Sequence, residues 1–382
     1  MRVLVAPDKF RGTLSADEAA RAIAAGWRRR RPGDDVTRVP MADGGEGTLE
    51  AIVAALGGEV RAARVSGPLG DPVDAAFGLV DASAGRSGVV ELARASGLQL
   101  VGAARNRPLR ATTRGTGELI LAAAREGVAE LLVGVGGSAS TDGGAGLAAA
   151  LGVRLTDPDG RPLPDGGAAL LRLDRVDLTA LAPEVRGVRV VVASDVDNPL
   201  TGPRGAARVF APQKGASPDD VLLLDRALAH YAAVLFRDLG FDVRSTRGAG
   251  AAGGAGAGLV AFLGAHVRPG VEVVMDAVDL RGRIARADVV VTGEGRFDAS
   301  SLLGKVPMGV VAEAGRAGVR AGVLCGEAAI RPDGLLLESL VDRLGARRAR
   351  DDASAALEEL AAAVAEDWAR PAEPQRSTDP GG

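Results

Sequence analysis

Arg2-Val-Leu-Val-Ala6-Pro-Asp-Lys-Phe-Arg-Gly-Thr-Leu-Ser15-Ala-Asp-Glu18 reads as a buried strand, a polar turn and a helix start in immediate succession. The unbroken apolar run before Pro7 is the pattern of a strand covered on both faces. Ser15 is placed to cap a helix, and Glu18 three residues on completes a capping box. Ala19, Ala22, Ile23, Gly26 and Trp27 then fall on one helical stripe, and Arg28 to Arg30 lie at the C-terminal end, where the helix dipole favours positive charge. Pro32-Gly33 ends that helix. Asp35 to Val39 reads as a second strand and Gly45 to Leu56 as a second helix. Strand, helix, strand, helix is the grammar of a parallel sheet with helical crossovers.

The pattern changes further along. Residues 65 to 110 hold short alternating runs, such as Val73 to Val80 and Val89 to Leu92, cut by Gly, Pro and Asp, which predict antiparallel or mixed sheet. A helix over Gly117 to Glu126, a strand over Leu131 to Val135, a second helix, a strand over Val188 to Ala193 and a long helix over Pro218 to Leu239 follow. The regular pattern returns after about residue 270, with strands at Asp288 to Thr292 and Val319 to Leu324, a helix after Pro307 and a last one over Ala353 to Trp368. The expected architecture is α/β: a parallel-sheet domain built from both chain ends, residues 1–64 plus 275–370, with a mixed-sheet α/β domain inserted at 65–274. Residues 371–382, rich in Pro and Gly, are expected to be a disordered tail.

The 382-residue length fits two domains or three, and 47% hydrophobic residues with 25% charged is the composition of a packed globular chain. A net charge of −3 and 3% aromatics argue against a nucleic-acid surface. The one cysteine, Cys325, excludes an internal disulfide and, at the end of an apolar strand, reads as packed. Gly248 to Ala265 is uncharged, but seven of its residues are Gly and seven Ala, too little apolar bulk to span a membrane. The chain is expected to be cytoplasmic, a monomer or homodimer, with small-molecule partners. Lys occurs three times among 46 Lys and Arg residues. In a chain so biased to Arg, a retained Lys points to work for a compact ammonium. Lys9, Lys214 and Lys305 each lie in or beside a glycine-containing turn.

Strands repeatedly end in such turns: Ala6 to Gly12, Pro40 to Gly47, Gly134 to Gly146, Ser194 to Pro199 and Thr292 to Asp298. In open α/β sheets the carboxyl ends of strands form the binding edge, and glycine lets backbone N–H groups approach an oxyanion. Anion binding, phosphate first, is the inference. Gly136, Gly137 and Ser138 form the best phosphate loop. Gly134-Val-Gly136-Gly-Ser-Ala139 also fits the relaxed dinucleotide fingerprint, the signature of a nicotinamide-dependent dehydrogenase of a small hydroxy acid, although Ser140 to Gly144 would interrupt the helix that fingerprint requires. No P-loop sequence is present. Asp195, Asp197 and Asn198 follow one strand, Glu294 and Asp298 another, and either set could supply the one or two carboxylates that Mg²⁺ takes beside phosphate oxygens. His230 and His266, in helical, motif-poor contexts, read as structural, which leaves a Ser-His-Asp hydrolase without its base. Gly loops, carboxylates and a few lysines are the equipment of phosphoryl transfer.

The turns closely resemble those of the glycerate kinase family of bacterial glycerate 2-kinases. The matching stretches are Ala6 to Ala16, Met41 to Thr48, Ala93 to Leu98, Ala111 to Ile120, Gly136 to Gly146, Asp195 to Leu200, Pro212 to Ala216, Gly248 to Gly254, and Gly293 to Asp298 with Gly304 to Pro307. They run in order from residue 1 to about 325. The family commonly carries Cys before the position of Asp195, where this chain has Ser194, and often Gln at the position of Ser300. The resemblance implies a flavodoxin-like domain with an inserted α/β domain, and transfer of the ATP γ-phosphoryl group to D-glycerate, giving 2-phosphoglycerate.

Strand-end position and motif match together yield expected roles. Asp195 orients or deprotonates the acceptor hydroxyl. Lys9 and Arg11 hold the glycerate carboxylate or the transferring phosphoryl, and Lys305 neutralises charge on it. Asp8, Asp43, Gly44, Gly45, Asn198 and Arg296 line the substrate. Gly136, Gly137, Ser138, Asp142 and Lys214 bind ATP phosphates. Asp197 and Glu294 position Mg²⁺.

Overall fold

The computed structural model describes residues 1–10, 12–82, 85–244 and 246–369. The expected disordered tail at 371–382 lies outside them. The strands are β1 (Arg2–Val5), β2 (Asp35–Arg38), β3 (Glu59–Ser66), β4 (Pro72–Ala82), β5 (Gly85–Glu91), β6 (Glu130–Gly134), β7 (Arg154–Thr156), β8 (Arg175–Asp177), β9 (Arg189–Ala193), β10 (His266–Arg268), β11 (Val289–Phe297), β12 (Arg320–Ala328) and β13 (Leu336–Ser339). The chain divides into two compact units, Met1–Met41 with Asp279–Gly382, and Ala42–Val278.

The first unit carries a sheet in the order β13-β12-β11-β1-β2. Every neighbouring pair in it is parallel. Counted within the unit this is the flavodoxin-like order 2-1-3-4-5, whose switch point lies between β1 and β11. The capping box forms as the sequence predicts: the Ser15 side chain accepts from Glu18 N, and helix Ala16–Arg30 follows. That helix packs along Ala353–Ala369, with Ile23, Trp27, Leu357, Leu360 and Val364 in one buried cluster. The two backbones approach closely at Gly26, where a β-carbon would lie 2.0 Å from Glu358 O. Gly26→Ala is therefore expected to cost roughly 1–3 kcal/mol, the usual effect of overpacking. A urea-unfolding midpoint equal to that of the parent chain would refute this.

The second unit holds a six-stranded mixed sheet, β10-β9-β6-β5-β4-β3, and the β7–β8 hairpin. β5, β6, β9 and β10 run parallel, whereas β3 and β4 are antiparallel additions at one edge. Helices Arg114–Ala124 and Ala251–Leu263 help cover the sheet through Leu119, Ile120, Ala123, Ala255 and Leu259. The glycine- and alanine-rich segment around 248–265 is thus a core element. No helix of the described residues is long and apolar enough to cross a membrane.

Two expectations need correction. The boundaries fall at 41/42 and 278/279 instead of 64/65 and 274/275. The first moves because β3 pairs with β4 over its whole length, and because Gly78 of β4 sits against Leu49 and Val53 of helix Thr48–Leu56. His266 opens strand β10 and is not helical.

Candidate active site

In the first unit, the carboxyl ends of β1 and β11 bring three candidates to the switch point. Asp8 N donates to Gly293 O (2.8 Å), and Thr292 Oγ1 donates to Ala6 O (2.7 Å), which locks the β1 turn against the start of Gly293-Glu294. Asp8 and Glu294 are buried there at 8% and 6% exposure, and Lys9 is half-buried beside them. Asp8 Oδ1 accepts from Lys9 N at 2.7 Å. Further along β11, Lys305 precedes helix Val306–Arg316 as its N-cap residue. Lys305 Nζ donates to Ser300 Oγ (2.6 Å), and Ser300 Oγ donates to Asp298 Oδ1 (2.5 Å). The Ser300 bonds, aided by Lys305 and Arg296, hold the Asp298 carboxyl below its ordinary range. Arg296 is exposed and lies 3.9 Å from both Asp298 and Glu327. Arg11 lies outside the described residues.

In the second unit, one backbone-tight cluster unites the turn at Asp43 to Gly45, the ends of β6 and β9, and the start of helix Gly270–Ala277. Gly44 is in the left-handed region (φ +82°), and a β-carbon on it would lie 2.8 Å from Ala193 Cβ and 3.0 Å from Gly270 Cα. A β-carbon on Gly136 would lie 3.0 Å from Gly45 Cα, and one on Gly270 would lie 1.9 Å from Asp43 O. Asp43 Oδ1 accepts from Gly45 N (3.1 Å), closing the turn. Asp195, exposed just after β9, accepts at Oδ1 from Gly270 N (2.9 Å). That bond orients the carboxylate at a helix N-terminus. Asp43, Gly44, Gly45, Gly136 and Asp195 therefore share one edge of this sheet, as their strand-end positions predict.

The 136–142 loop is held from behind by a buried polar layer. Leu98 N donates to Gly137 O (2.8 Å) and Ala139 N to Ser96 O (2.9 Å). Asp142 is fully buried, and its carboxylate accepts from Thr113 N (2.8 Å), Thr113 Oγ1 (2.9 Å), Gly144 N (3.2 Å) and Gly146 N (3.3 Å). Burial pushes this carboxyl up, and the bonds from Thr113, Gly144 and Gly146 pull it down. Lys214 is buried too, donating from Nζ to Ser138 Oγ (2.7 Å) and Ser140 O (2.6 Å). Burial pushes its ammonium down to about 7, and the Asp142 charge opposes that shift. The expectation that Asp142 and Lys214 touch ATP phosphates is corrected on this geometry: both are enclosed by the protein and support the loop that carries Ser138.

Other candidates are placed differently from expectation. Asp197, expected at Mg²⁺, forms a two-pronged surface pair with Arg247 (2.7 and 3.0 Å), which engages both oxygens. The Asn198 side chain donates to Arg204 O (2.8 Å), tying its own loop. Cys325 is buried, and burial raises its thiol to about 12, so it is packed and not nucleophilic. His230 Nε2 lies 2.7 Å from Leu173 O, a structural contact. The dinucleotide fingerprint lacks its helix: after Ala139 the chain runs on through Ser140 to Gly144, and the next helix is Ala145–Ala150.

Sequence reading missed Glu91. It ends the apolar run of β5 and is 2% exposed, accepting from Leu49 N (2.8 Å) and from Arg94 Nε (2.9 Å). Glu46, Glu91, Arg94 and Gln99 line a polar cleft, and Gln99 also flanks Gly137. The available signal was an acid terminating an otherwise buried strand. Among the described residues no three His, Cys, Asp or Glu side chains cluster to hold a metal ion. The strand-end donors are carboxylate oxygens in small number, a set that fits a hard cation arriving with phosphate oxygens of its own.

A flavodoxin-order sheet with Lys9, Asp8 and Glu294 at its switch point, and a mixed sheet bearing a glycine-rich strand-end loop, are the architecture of an α/β enzyme. The profile of the glycerate kinase family matches residues 3–370, beyond the last of the matching stretches. Similar chains include a glycerate kinase of Halalkalibacterium halodurans, 47% identical over 83% of both chains. A glycerate 2-kinase of Escherichia coli is 47% identical over 81% of both. A solved structure from Salmonella typhimurium LT2, assigned as a glycerate kinase 2, superposes with a TM-score of 0.88 at 43% identity, covering 96% of this chain and 98% of that one. This chain belongs to the glycerate kinase family.

Proposed function

We propose that this chain transfers the γ-phosphoryl group of ATP to the 2-hydroxyl of D-glycerate, releasing ADP and 2-phosphoglycerate, in the cytoplasm. The observation that carries the reading is the 47% identity to the E. coli glycerate 2-kinase over four-fifths of both chains. The strand-end chemistry supports it. The acceptor hydroxyl loses its proton to Asp195, whose orientation is fixed by Gly270 N. The hydroxyl oxygen bonds to the γ-phosphorus as the bond to the β-bridging oxygen breaks. Lys9 and Lys305 offset the charge on the transferring group, Asp8 and Asp43 face the acceptor, and Gly136, Gly137 and Ser138 receive the nucleotide phosphates. When bound, Mg²⁺ would neutralise phosphate charge, with Glu294 as the carboxylate that would help hold it. A nicotinamide dehydrogenase has no support here, because its fingerprint lacks the helix.

An ADP-release assay with D-glycerate and ATP tests the reaction, and phosphorus NMR of the product tests which hydroxyl reacts. A 3-phosphoglycerate product would refute the regiochemistry alone; no glycerate-dependent ADP release would refute the reading. Lys305→Met is expected to lower kcat/KM by about 10²-fold, the usual loss for one donor to developing charge. Unchanged kcat/KM would remove Lys305 from the machinery.

A further inference from the structure

Three Lys, two Asn and three Gln are present in 382 residues, and three of these eight meet at one loop. Lys214 reaches up to Ser138 Oγ and Ser140 O. Asn106 Nδ2 donates to both Ala139 O (3.0 Å) and Lys214 O (2.9 Å), tying the loop to the turn that carries the lysine. Gln99 flanks Gly137, donating from Nε2 to Ala93 O (3.1 Å). Asn106 and Lys214 are 4% and 3% exposed and their side-chain nitrogens are engaged within the protein, whereas Ser138, 6% exposed, adjoins the exposed Gly137.

An ammonium only donates. In the charged form, which the Asp142 carboxylate favours, Lys214 Nζ at 2.7 Å leaves Ser138 Oγ to accept, so the hydroxyl's own proton is directed to another acceptor. We propose that Lys214 is a positioning residue for nucleotide binding: held beneath the 136–140 loop, it turns the Ser138 hydroxyl into a fixed donor toward a phosphate oxygen of ATP. The assignment rests on the reading of this loop as the phosphate cradle. It also explains why an arginine does not stand here. The enclosed space meets one hydroxyl and one carbonyl with a single nitrogen, whereas a planar five-donor fork would leave buried donors unmatched.

Steady-state kinetics of Ser138→Ala, Lys214→Met and the double variant, with ATP and D-glycerate varied in turn, test it. Each single variant is expected to raise the KM for ATP by about 10- to 100-fold, the range for a hydrogen bond to a charged group, and to leave the KM for glycerate within about threefold. The double variant should be no worse than either single one, because both remove the same donor. Losses that multiply would overturn the positioning role while sparing the phosphate loop. An unchanged KM for ATP in Ser138→Ala would overturn the loop reading and this assignment together. Should Lys214→Met fail to fold by circular dichroism, hydrogen exchange of Ser138→Ala decides. The amides of Lys214, Gly215 and Ala216, bonded to Ala211 O and Pro212 O, should then exchange faster than in the parent chain. Unchanged exchange there would overturn the proposal.

Discussion

Asp195→Asn is expected to lower kcat for D-glycerate by about 10²- to 10⁴-fold, the span for loss of a positioned acid–base group. The substitution is a clean one on geometric grounds. Gly270 N donates to Oδ1 of the carboxylate at 2.9 Å, and an amide oxygen accepts that bond as well as a carboxylate oxygen does. The helix start at Gly270 and the neighbouring Asp43 turn should therefore keep their places. What the amide cannot do is take a proton from the acceptor hydroxyl. The loss should fall on kcat, with the KM for ATP within about threefold, because the proposed phosphate loop is a different part of the sheet edge. A kcat within about threefold of the parent value would remove Asp195 as the proton acceptor. A loss confined to the KM for glycerate would recast it as a binding group.

Much of this arrangement is legible before any coordinates. Ser15 and Glu18 announce the first helix because capping is a local interaction, complete within four residues. The strand-end turns announce which edge of each sheet gathers the glycine-rich loops, because an open parallel sheet has only one set of carboxyl ends. The scarcity of lysine singles out Lys9, Lys214 and Lys305, and each belongs to a distinct local network. Burial was the illegible part. Pro212-Gln-Lys-Gly215 reads as an exposed turn, yet Lys214 is enclosed through contacts with Ser138 and Ser140, more than 70 residues away. Asp197 reads as a ligand until Arg247, 50 residues on, is seen to occupy it. The unit to which β3 belongs is not legible in the sequence, because much of the strand is exposed and its alternation is weak, so its pairing with β4 leaves little trace in its own residues. Asn106 carried the same rarity signal as Lys214, and only its partners show what that signal meant.

Asp142→Ala should produce the largest stability change of any single substitution considered, about 3–5 kcal/mol, in the range for removing one partner from a buried charged network. Three backbone donors, Thr113 N, Gly144 N and Gly146 N, end on this carboxylate, together with the Thr113 hydroxyl. The side chain has no exposure, so water cannot replace it without entering the core. Each buried N–H left unmatched costs roughly 1–3 kcal/mol. Lys214 would at the same time lose the negative charge that opposes its desolvation. Asp142→Asn offers little rescue. Oδ2 alone receives Thr113 N, Thr113 Oγ1 and Gly146 N, so an amide that keeps one of its two sides as an acceptor must set its NH₂ against donors on the other. Urea unfolding followed by fluorescence and by circular dichroism should show the transition of the Ala42–Val278 unit shifted to lower denaturant for both variants, while that of the flavodoxin-order unit moves less. Because the chain has two units, the two probes need not coincide, and the shift is read on the earlier transition. A midpoint within about 0.5 kcal/mol of the parent chain for Asp142→Ala would mean that the layer beneath the loop is not what holds it, and the positioning argument for Lys214 would lose its footing with it.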